Sequence, residues 1–350
     1  MIQGKPRRRS LEITQSLLCR YAPSNTRNSL HLQGKGDSMK FAIMGSGGVG
    51  GYFGARLAEA GEDVTFIARG RHLAAMQHDG LHVSSIKGDI VVKPVKATDD
   101  PATLGEVDCV IVAVKAWQVR EAAEAIRPLV GPDTLVLPLE NGVEAADILT
   151  EVLGETPVLE GLCGILAWRE APGHIRHAGV DPFVRFGERD NHTSERTARL
   201  KAVFDKAHGV SAEIPDDIVV AQWSKFLFIC AMSGIGSLCR APIGITRQLP
   251  ETRALIERML EEIHQVAQGH GVAFPANAVA RAMQFIDAMP ADSTSSMQRD
   301  ILAGEPSELE SQNGAVVRLG RAVGVETPIH AAVYAALLPQ ELAARGELSL

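Results

Sequence analysis

The chain has 350 residues, of which 45% are hydrophobic and 22% charged, with a formal net charge of -7. This length allows two domains that each bury a core, and the acidic balance argues against a nucleic-acid partner, which would require a basic face. The longest apolar runs, residues 109–114 and 226–232, are too short to cross a bilayer. We therefore expect two domains and neither a nucleic-acid nor a membrane partner.

Residues 1–38 differ in composition from the rest of the chain. They carry seven Lys and Arg residues against one Glu and one Asp, without sustained periodicity. A transit peptide has such a composition. The first apolar strand begins directly after Met39, however, so we favour Met39 as the functional start. In both interpretations residues 1–38 form a disordered or non-native extension outside the fold.

The five cysteines include no C-x-x-C pair, and three of them lie within apolar runs. This usage is typical of small buried hydrophobic residues in a reducing compartment, so we expect a cytoplasmic protein. His174 and His177 have a spacing that, in a strand, points their side chains to opposite faces. No metal site is predicted from them.

The first predicted element is an apolar strand, residues 41–44, followed by a glycine-rich turn and a helical pattern. Gly45, Gly47 and Gly50 match G-x-G-x-x-G, in which the glycines allow a tight turn, close approach to a pyrophosphate, and close packing of helix on strand. A helix that begins here would direct free N–H groups toward phosphate. We predict a dinucleotide site rather than a glycine-rich turn of another α/β protein.

The second predicted strand, residues 63–68, ends at Arg69. NAD-binding proteins place an Asp or Glu at this distance from the glycines, where it bonds the ribose 2′-hydroxyl. An arginine can instead pair with a 2′-phosphate and stack on adenine, so Arg69 favours NADP over NAD. The alternative is an ordinary solvated arginine in a loop.

Two further strands are predicted for residues 108–114 and 134–139, and each is followed by a helix. Strands and helices that alternate in this way form a doubly wound parallel sheet. Lys115 and Asn141 stand at the carboxyl ends of these strands, where such sheets bind ligands. Each could also be a polar residue that simply begins a loop. The intervening residues 81–98 alternate in polarity and suggest an inserted hairpin.

The pattern changes near residue 214. Before it, residues 158–168, 173–178 and 182–187 are expected as strands that extend or finish the sheet; after it, every periodic segment is helical. We therefore predict an α/β fold class. An N-terminal Rossmann-type doubly wound sheet, residues 39–214, is followed by an all-α C-terminal domain, residues 215–345, with a cleft between them.

Two candidate catalytic side chains lie in the helical half. The helix of residues 222–233 is apolar almost all round after Lys225. Lys225 could serve as a hydrogen-bond donor or general acid, or its stem could lie on apolar surface with its head in water. Glu308 would lie in the first turn of a later helix, where spacing alone favours a structural role toward the helix dipole.

Serine residues begin two of the later segments. Ser307 and Glu310 match a capping box at the start of the helix that carries Glu308. Upstream, Ser295 and Ser296 carry hydroxyls that could cap a helix or hold a carboxylate.

Residues 40–342 resemble the ketopantoate reductase (2-dehydropantoate 2-reductase) family. The resemblance is carried by MGSGGVGGYFGARLAEAG, VAVKAWQV, LENGV, WSKFLF and SSMQRDILAGEPSELESQNGAVVRLGRAVGV. It implies an NADPH-binding Rossmann domain, a helical C-terminal domain, and reduction of a small 2-oxo acid between them. The implied reaction is the reduction of 2-dehydropantoate to pantoate in pantothenate and coenzyme A biosynthesis. A homodimer is left open.

The resemblance also implies roles for individual residues, which replace the alternatives left open for Lys225 and Glu308. The implied cofactor-binding residues are Gly45, Ser46, Gly47, Gly48, Val49, Gly50, Arg69, Lys115 and Asn141. The implied catalytic residues are Lys225 and Glu308, and the implied substrate-binding residues are Asn141, Ser233, Ser296 and Glu308.

The chain departs from the family pattern on one helical face. The family commonly carries asparagines four and eight residues after the lysine, where this chain has Ile229 and Ser233. Because isoleucine cannot donate a hydrogen bond to a substrate hydroxyl or carboxylate, a reductase of a different 2-oxo acid is the main alternative. A non-catalytic NADP-binding sensor is the second, but it would lack the lysine or the acid, and both are present.

Overall fold

The chain divides into two units that are described separately. The computed structural model describes residues 38–349, and two compact units meet in the chain between Val219 and Val220. The extension predicted for residues 1–38 lies outside the described residues apart from Ser38. The domain boundaries predicted from the sequence stay a prediction.

Five parallel strands form the main sheet of the first unit. They are β1 (Lys40–Met44), β2 (Asp63–Ile67), β5 (Lys96–Thr98), β6 (Cys109–Val112) and β7 (Leu135–Pro138). Their order across the sheet is β5, β2, β1, β6, β7, and every neighbouring pair is parallel. The chain thus moves outward from β1 first to one side and then to the other. This is the doubly wound arrangement that the sequence predicts.

Helices cover both faces of this sheet. The α-helices of the first unit are α1 (Gly48–Glu59), α2 (Gly70–Asp79), α3 (Val119–Ile126), α4 (Ala145–Leu153) and α5 (Glu195–Phe204). In β1, Phe41 and Ile43 pack into one core cluster with α1, while Ala42 and Met44 pack into another with α3 and α4. A strand covered on both faces has to be apolar throughout, which explains the uninterrupted hydrophobic run of β1.

The sequence predicts that residues 158–168, 173–178 and 182–187 extend or finish the main sheet, and within residues 38–349 this is confirmed only at Val158, which pairs in parallel with Val136 of β7. The strands themselves form two separate sheets, so the rest of the prediction is wrong. The strands outside the main sheet are β3 (Leu81–Ser85), β4 (Ile90–Val92), β8 (Glu160–Gly164), β9 (Ala167–Ala171), β10 (His174–His177), β11 (Phe183–Gly187) and β12 (Ser211–Glu213). One sheet has the order β4, β3, β10, β9 and the other β12, β11, β8. Hydrophobic period identifies a strand but not its partner, and β10 pairs in parallel with the distant β3.

The inserted hairpin is confirmed for only part of its predicted length. β3 and β4 pair antiparallel, with Leu81 opposite Val92. β5 does not belong to the hairpin. It joins the main sheet beside β2, with Thr65 opposite Lys96.

The second unit is helical, as predicted. Its α-helices are α6 (Ile218–Cys239, which begins just before the division), α7 (Ile243–Thr246), α8 (Pro250–Gly269), α9 (Ala278–Ala288), α10 (Ser296–Ala303), α11 (Ala315–Ala322) and α12 (Pro328–Ala344). A π-helical turn, Glu310–Gly314, leads directly into α11. The short helices α7 and α10 do not show in the sequence pattern, because so few residues cannot establish a helical period.

α6 is long and apolar enough to cross a membrane, judged by length and composition alone. Its most apolar window is 61% buried inside the protein. A helix that is hydrophobic on all sides is equally expected in a protein core. The apolar run noted in the sequence is shorter than α6 because the helix continues through Ser, Gly and Gln residues on both sides.

The capping box predicted at Ser307 does not form. The Ser307 hydroxyl and backbone N–H both donate to the buried carboxylate of Glu341. The Glu310 carboxylate instead accepts hydrogen bonds from Arg318 and from the Tyr334 hydroxyl. α12 supplies Glu341 and Tyr334, and α11 supplies Arg318. The Ser307 hydroxyl still accepts a hydrogen bond from the Leu309 N–H at 3.2 Å, so it is the Glu310 half of the capping box that tertiary partners have replaced.

Candidate functional site

The carboxyl edge of the main sheet gathers the predicted cofactor-binding residues of the first unit. Gly45 follows β1, Arg69 follows β2, Lys115 follows β6 and Asn141 follows β7. β2 and β6 lie on opposite sides of β1, so the strand order reverses at β1 and the loops after β1 and β6 lead away from each other. Ligands of doubly wound sheets bind at this switch point.

The three motif glycines meet three different spatial demands. Gly45 has φ of 96°, and a Cβ built on it would lie 2.6 Å from the Ala113 carbonyl oxygen. A Cβ on Gly50 would lie 2.2 Å from the Gly45 carbonyl oxygen, so α1 can pack this closely only without a side chain. A Cβ on Gly47 would meet no atom within 4 Å. Gly47 therefore leaves open space beside the first turn of α1, as a pyrophosphate cradle requires.

Two further glycines let a second sheet approach the same helix. A Cβ on Gly48 would lie 2.4 Å from the Ala167 carbonyl oxygen at the start of β9. A Cβ on Gly51 would lie 2.8 Å from Cγ1 of Ile175 in β10. The glycines at these positions are explained by tertiary contact, which the spacing of the motif does not reveal.

Ser46 connects the glycine loop to the neighbouring chain segments. Its hydroxyl donates to the carbonyl of Ile67, the last residue of β2, at 2.9 Å. Its own carbonyl lies 2.7 Å from Nε2 of the buried His72. The Gly173 N–H donates to Nδ1 of His72 at 2.9 Å, so the ring proton is on Nε2 and is donated to Ser46. Burial lowers the pKa of His72 and favours this neutral form.

Arg69 lies at the start of α2 in extended conformation. Its guanidinium donates two hydrogen bonds to Glu121 of α3, at 3.0 and 3.1 Å. The two side chains are 64% and 61% exposed. An ion pair this exposed contributes about 1 kcal/mol or less, so releasing Arg69 to a phosphate would cost little.

Lys115 and Asn141 lie in adjacent loops at the same edge. The Lys115 ammonium lies 5.8 Å from the centre of the Trp117 ring, and Asn141 is half-buried. The carboxylate of Glu140 accepts a hydrogen bond of 3.2 Å from the backbone of Val114, which joins the loops after β6 and β7. The fold therefore brings both predicted residues to the edge that also holds the glycine loop.

α6 carries the candidate lysine of the helical unit. Lys225 is half-buried and is the only lysine after residue 219. Ser233 is fully buried, and within residues 38–349 its hydroxyl has no hydrogen-bond partner. Ile229 lies between them on the same helical face and is half-buried.

The π-helical turn holds a buried polar group against α6. Asn313 is fully buried, and its amide nitrogen donates to the Cys230 carbonyl at 3.3 Å and to Nδ1 of His330 at 3.0 Å. Nε2 of His330 then donates to the Met259 carbonyl at 3.2 Å. Burial lowers the pKa of His330 to about 4, which keeps the ring neutral. The sequence pattern does not reveal Asn313 or His330, because each reads as an ordinary helical residue.

Glu308 precedes this turn and is only 5% exposed. Burial raises the pKa of the Cys230 thiol well above its usual value, and the negative charge of Glu308 raises it further. The Glu308 carboxylate therefore lies close to α6, on the side where Asn313 bonds the helix. Gln312 reaches back to this carboxylate with a long contact of 3.4 Å. The structure thus brings Glu308 to the helix that carries Lys225.

Ser296 begins α10, whose cap is Ser295. The Ser295 hydroxyl accepts from the Gln298 N–H at 3.0 Å, so the capping role falls to Ser295 rather than Ser296. A Cβ built on Gly236 of α6 would lie 2.6 Å from Oε1 of Gln298. The first turn of α10 therefore packs directly on α6, and the half-buried Ser296 lies beside that contact.

Comparisons with known proteins agree with this arrangement. The family model "Ketopantoate reductase PanE/ApbA" matches residues 41–191, and "Ketopantoate reductase PanE/ApbA C terminal" matches residues 217–341. The uncharacterized oxidoreductase YkpB of Bacillus subtilis is 31% identical over 301 residues, which is 85% of this chain and 98% of that protein. A 2-dehydropantoate 2-reductase of Nostoc sp. is 28% identical over 83% of this chain and 91% of its own.

Solved structures show the same fold. The crystal structure of a PanE/ApbA family ketopantoate reductase from Ralstonia eutropha JMP134 superposes with a TM-score of 0.80 at 32% identity. The match covers 88% of this chain and 100% of the other. With its doubly wound sheet and helical second unit, this chain belongs to the ketopantoate reductase family of oxidoreductases.

Proposed function

We propose that this oxidoreductase reduces 2-dehydropantoate to pantoate with NADPH, a step of pantothenate and coenzyme A biosynthesis. The observation that carries the proposal is the buried carboxylate of Glu308, which precedes the turn whose Asn313 bonds Cys230 of α6, the helix of Lys225. Family membership supports the reaction class, and the open space at Gly47 supports a dinucleotide. Free cysteines at residues 109, 163, 230 and 239 support a cytoplasmic location.

The first unit would hold the cofactor, which supplies a hydride from its nicotinamide ring when bound. The backbone N–H groups from Ser46 to Gly50 would bind the pyrophosphate, and the start of α1 and the open space at Gly47 support this assignment. Val49 and Gly48 belong to the same turn. Arg69 would exchange Glu121 for the 2′-phosphate, since phosphate offers more acceptor oxygens and more charge.

The helical unit would bind and protonate the substrate. Lys225 would donate a hydrogen bond to the carbonyl oxygen as negative charge develops there, and then transfer its proton to that oxygen. Glu308 would accept a hydrogen bond from the substrate hydroxyl. The hydroxyls of Ser233 and Ser296 would hold the remaining polar groups. Donors fixed by burial favour the transition state because they need no reorganisation.

A reductase of a different 2-oxo acid is the second candidate. Ile229 is the observation that favours it, because it places an apolar side chain between Lys225 and Ser233 on α6. A pocket with an apolar wall accepts apolar substrate groups more readily than hydroxyls. The B. subtilis relative, described only as an oxidoreductase, leaves the substrate equally open.

The substrate assignment is tested by following NADPH oxidation with 2-dehydropantoate and a panel of 2-oxo acids that differ at the hydroxyl-bearing end. We expect the highest kcat/KM for 2-dehydropantoate. A higher value for an acid without the hydroxyl would transfer the assignment to the second candidate. No oxidation with any 2-oxo acid would contradict both.

The role of Lys225 is tested by Lys225→Ala. If the ammonium stabilises the developing oxyanion, kcat falls by a factor on the order of a hundred or more while NADPH affinity stays near that of the unaltered protein. Lys201→Ala is the matched control, since Lys201 pairs with Asp205 on the surface of α5 in the other unit. A folded Lys225→Ala protein with nearly normal kcat at saturating substrate would contradict the mechanism.

A further inference from the structure

The edge strand β9 lies across the first turn of α1, on the glycine loop. The backbone of Ala167 and Trp168 comes so close to Gly48 that an added Cβ would lie 2.4 Å from the Ala167 carbonyl oxygen and 2.8 Å from Cα of Trp168. The next strand, β10, touches α1 one turn further on, at Gly51. Of the four strands in this sheet, β9 is therefore the one beside the phosphate-binding end of the helix.

The strand register shows which face of this sheet carries Arg169. Arg169 lies directly opposite Ile175, and side chains opposite each other in an antiparallel pair share a face. The Ile175 side chain packs against α1 beside Gly51. Arg169 therefore extends from the face of the sheet that is turned toward α1.

The other face of β9 and β10 is occupied differently. Trp168 and Arg176 are opposite each other on it, and Arg176 donates to Glu170 at 2.7 Å. The arginine on this outer face thus has a carboxylate partner. Arg169 is exposed, and within residues 38–349 no acceptor or ion-pair partner is found for it.

The charge of Arg169 lies close to the glycine loop. Burial is the main cause of the lowered pKa of His72, and the positive charge of Arg169 lowers that pKa as well. His72 is the residue that bonds the Ser46 carbonyl and the Gly173 N–H. The charge of Arg169 therefore acts on the residue that bonds the turn at Ser46, and among residues 38–349 no carboxylate pairs with this guanidinium.

We infer that Arg169 is a second cofactor-binding arginine, which contacts the pyrophosphate of the nicotinamide dinucleotide. The inference rests on the proposed function, since it assigns a further ligand to the same cofactor. The backbone N–H groups of the glycine loop are partial charges. A guanidinium from β9 would supply a full charge and two parallel donors to the same oxygens. Arg69, after β2, would remain the contact to the 2′-phosphate.

The test measures dissociation constants of NADPH and NADH for the full chain by fluorescence titration, with a melting curve for every variant. In Arg169→Gln both dinucleotides should bind about ten-fold more weakly or worse, because both carry the pyrophosphate. Arg169→Lys should recover part of the loss. Arg176→Gln, on the outer face of the same sheet, is the matched control and should bind as the unaltered protein does.

The outcomes separate this inference from the proposed function. Unchanged affinity in Arg169→Gln, when the unaltered protein binds NADPH, overturns the inference alone. A loss confined to NADPH places Arg169 at the 2′-phosphate and overturns the pyrophosphate assignment. If the unaltered protein binds neither dinucleotide, the proposed function fails and the inference fails with it.

Discussion

Gly48→Ala tests the contact between β9 and the glycine loop. Gly48 is not one of the three glycines that the dinucleotide motif requires, so motif spacing predicts that alanine is tolerated there. The structure predicts the opposite. The added Cβ would lie 2.4 Å from the Ala167 carbonyl oxygen and 2.6 Å from its carbon, whereas such contacts essentially never fall under 3.0 Å.

The size of the effect follows from which atoms must move. All three close neighbours of the added Cβ are backbone atoms of Ala167 and Trp168, so no side-chain rotation can relieve the clash. Overpacking of this kind costs about 1–3 kcal/mol. Alanine in a helix recovers up to about 1 kcal/mol relative to glycine. We expect a net loss of about 1–2 kcal/mol, or roughly 2–8 °C in Tm for a unit of this size.

The assay is thermal unfolding of Gly48→Ala beside Gly47→Ala. A Cβ on Gly47 meets nothing within 4 Å, so Gly47→Ala should change Tm little and instead weaken dinucleotide binding, because its methyl group would occupy the space reserved for the pyrophosphate. The two neighbouring substitutions are thus expected to separate stability from binding. A Gly48→Ala protein with the same Tm as the unaltered protein would refute the packing of β9 on Gly48.

Two further predictions concern cofactor choice and acid stability. Arg69→Asp should weaken NADPH binding by about ten-fold or more and relatively favour NADH, since a carboxylate repels the 2′-phosphate and can bond the ribose hydroxyls. Affinities for both dinucleotides are measured by titration. Equal affinities of the unaltered protein for NADH and NADPH would count against the assigned role of Arg69. Burial lowers the pKa of His330 from 6.5 to about 4. Between these two pH values the unfolded chain therefore binds a proton at this histidine that the folded chain does not. The free energy of unfolding must fall as the pH drops from 6.5 to about 4. His330→Gln should show a shallower fall in denaturant titrations from pH 7 to pH 4, whereas parallel profiles would show that His330 is not the group responsible.

The sequence by itself determined the central strands of the first unit and the place of its glycine loop. β1 and β6 are continuous apolar runs because helices cover both faces of their sheet. The pattern that predicts such a strand is therefore contained in a few consecutive residues. The positive φ of Gly45 and the contact of Gly50 with the Gly45 carbonyl oxygen are equally local, since both belong to the turn and to the helix that follows it. Such features can be predicted because their cause lies within a few residues of them.

For the helical unit, sequence period gave the long helices but assigned Lys225 and Glu308 no definite role. Residue type and spacing leave a half-buried lysine and a first-turn glutamate with ordinary structural explanations. Only the family resemblance singled them out. The structure then showed what spacing could not, namely that Glu308 is buried beside a turn whose Asn313 bonds the helix of Lys225.

The remaining features were decided by tertiary structure alone. β10 pairs with β3, and Glu341 rather than Glu310 accepts from the Ser307 N–H, because partners distant in the chain compete with nearby ones for the same hydrogen bonds. His72 reaches the glycine loop from another element in the same way. Hydrophobic period tells which side of an element is buried, but not which element covers it. That choice depends on the packing of the whole unit.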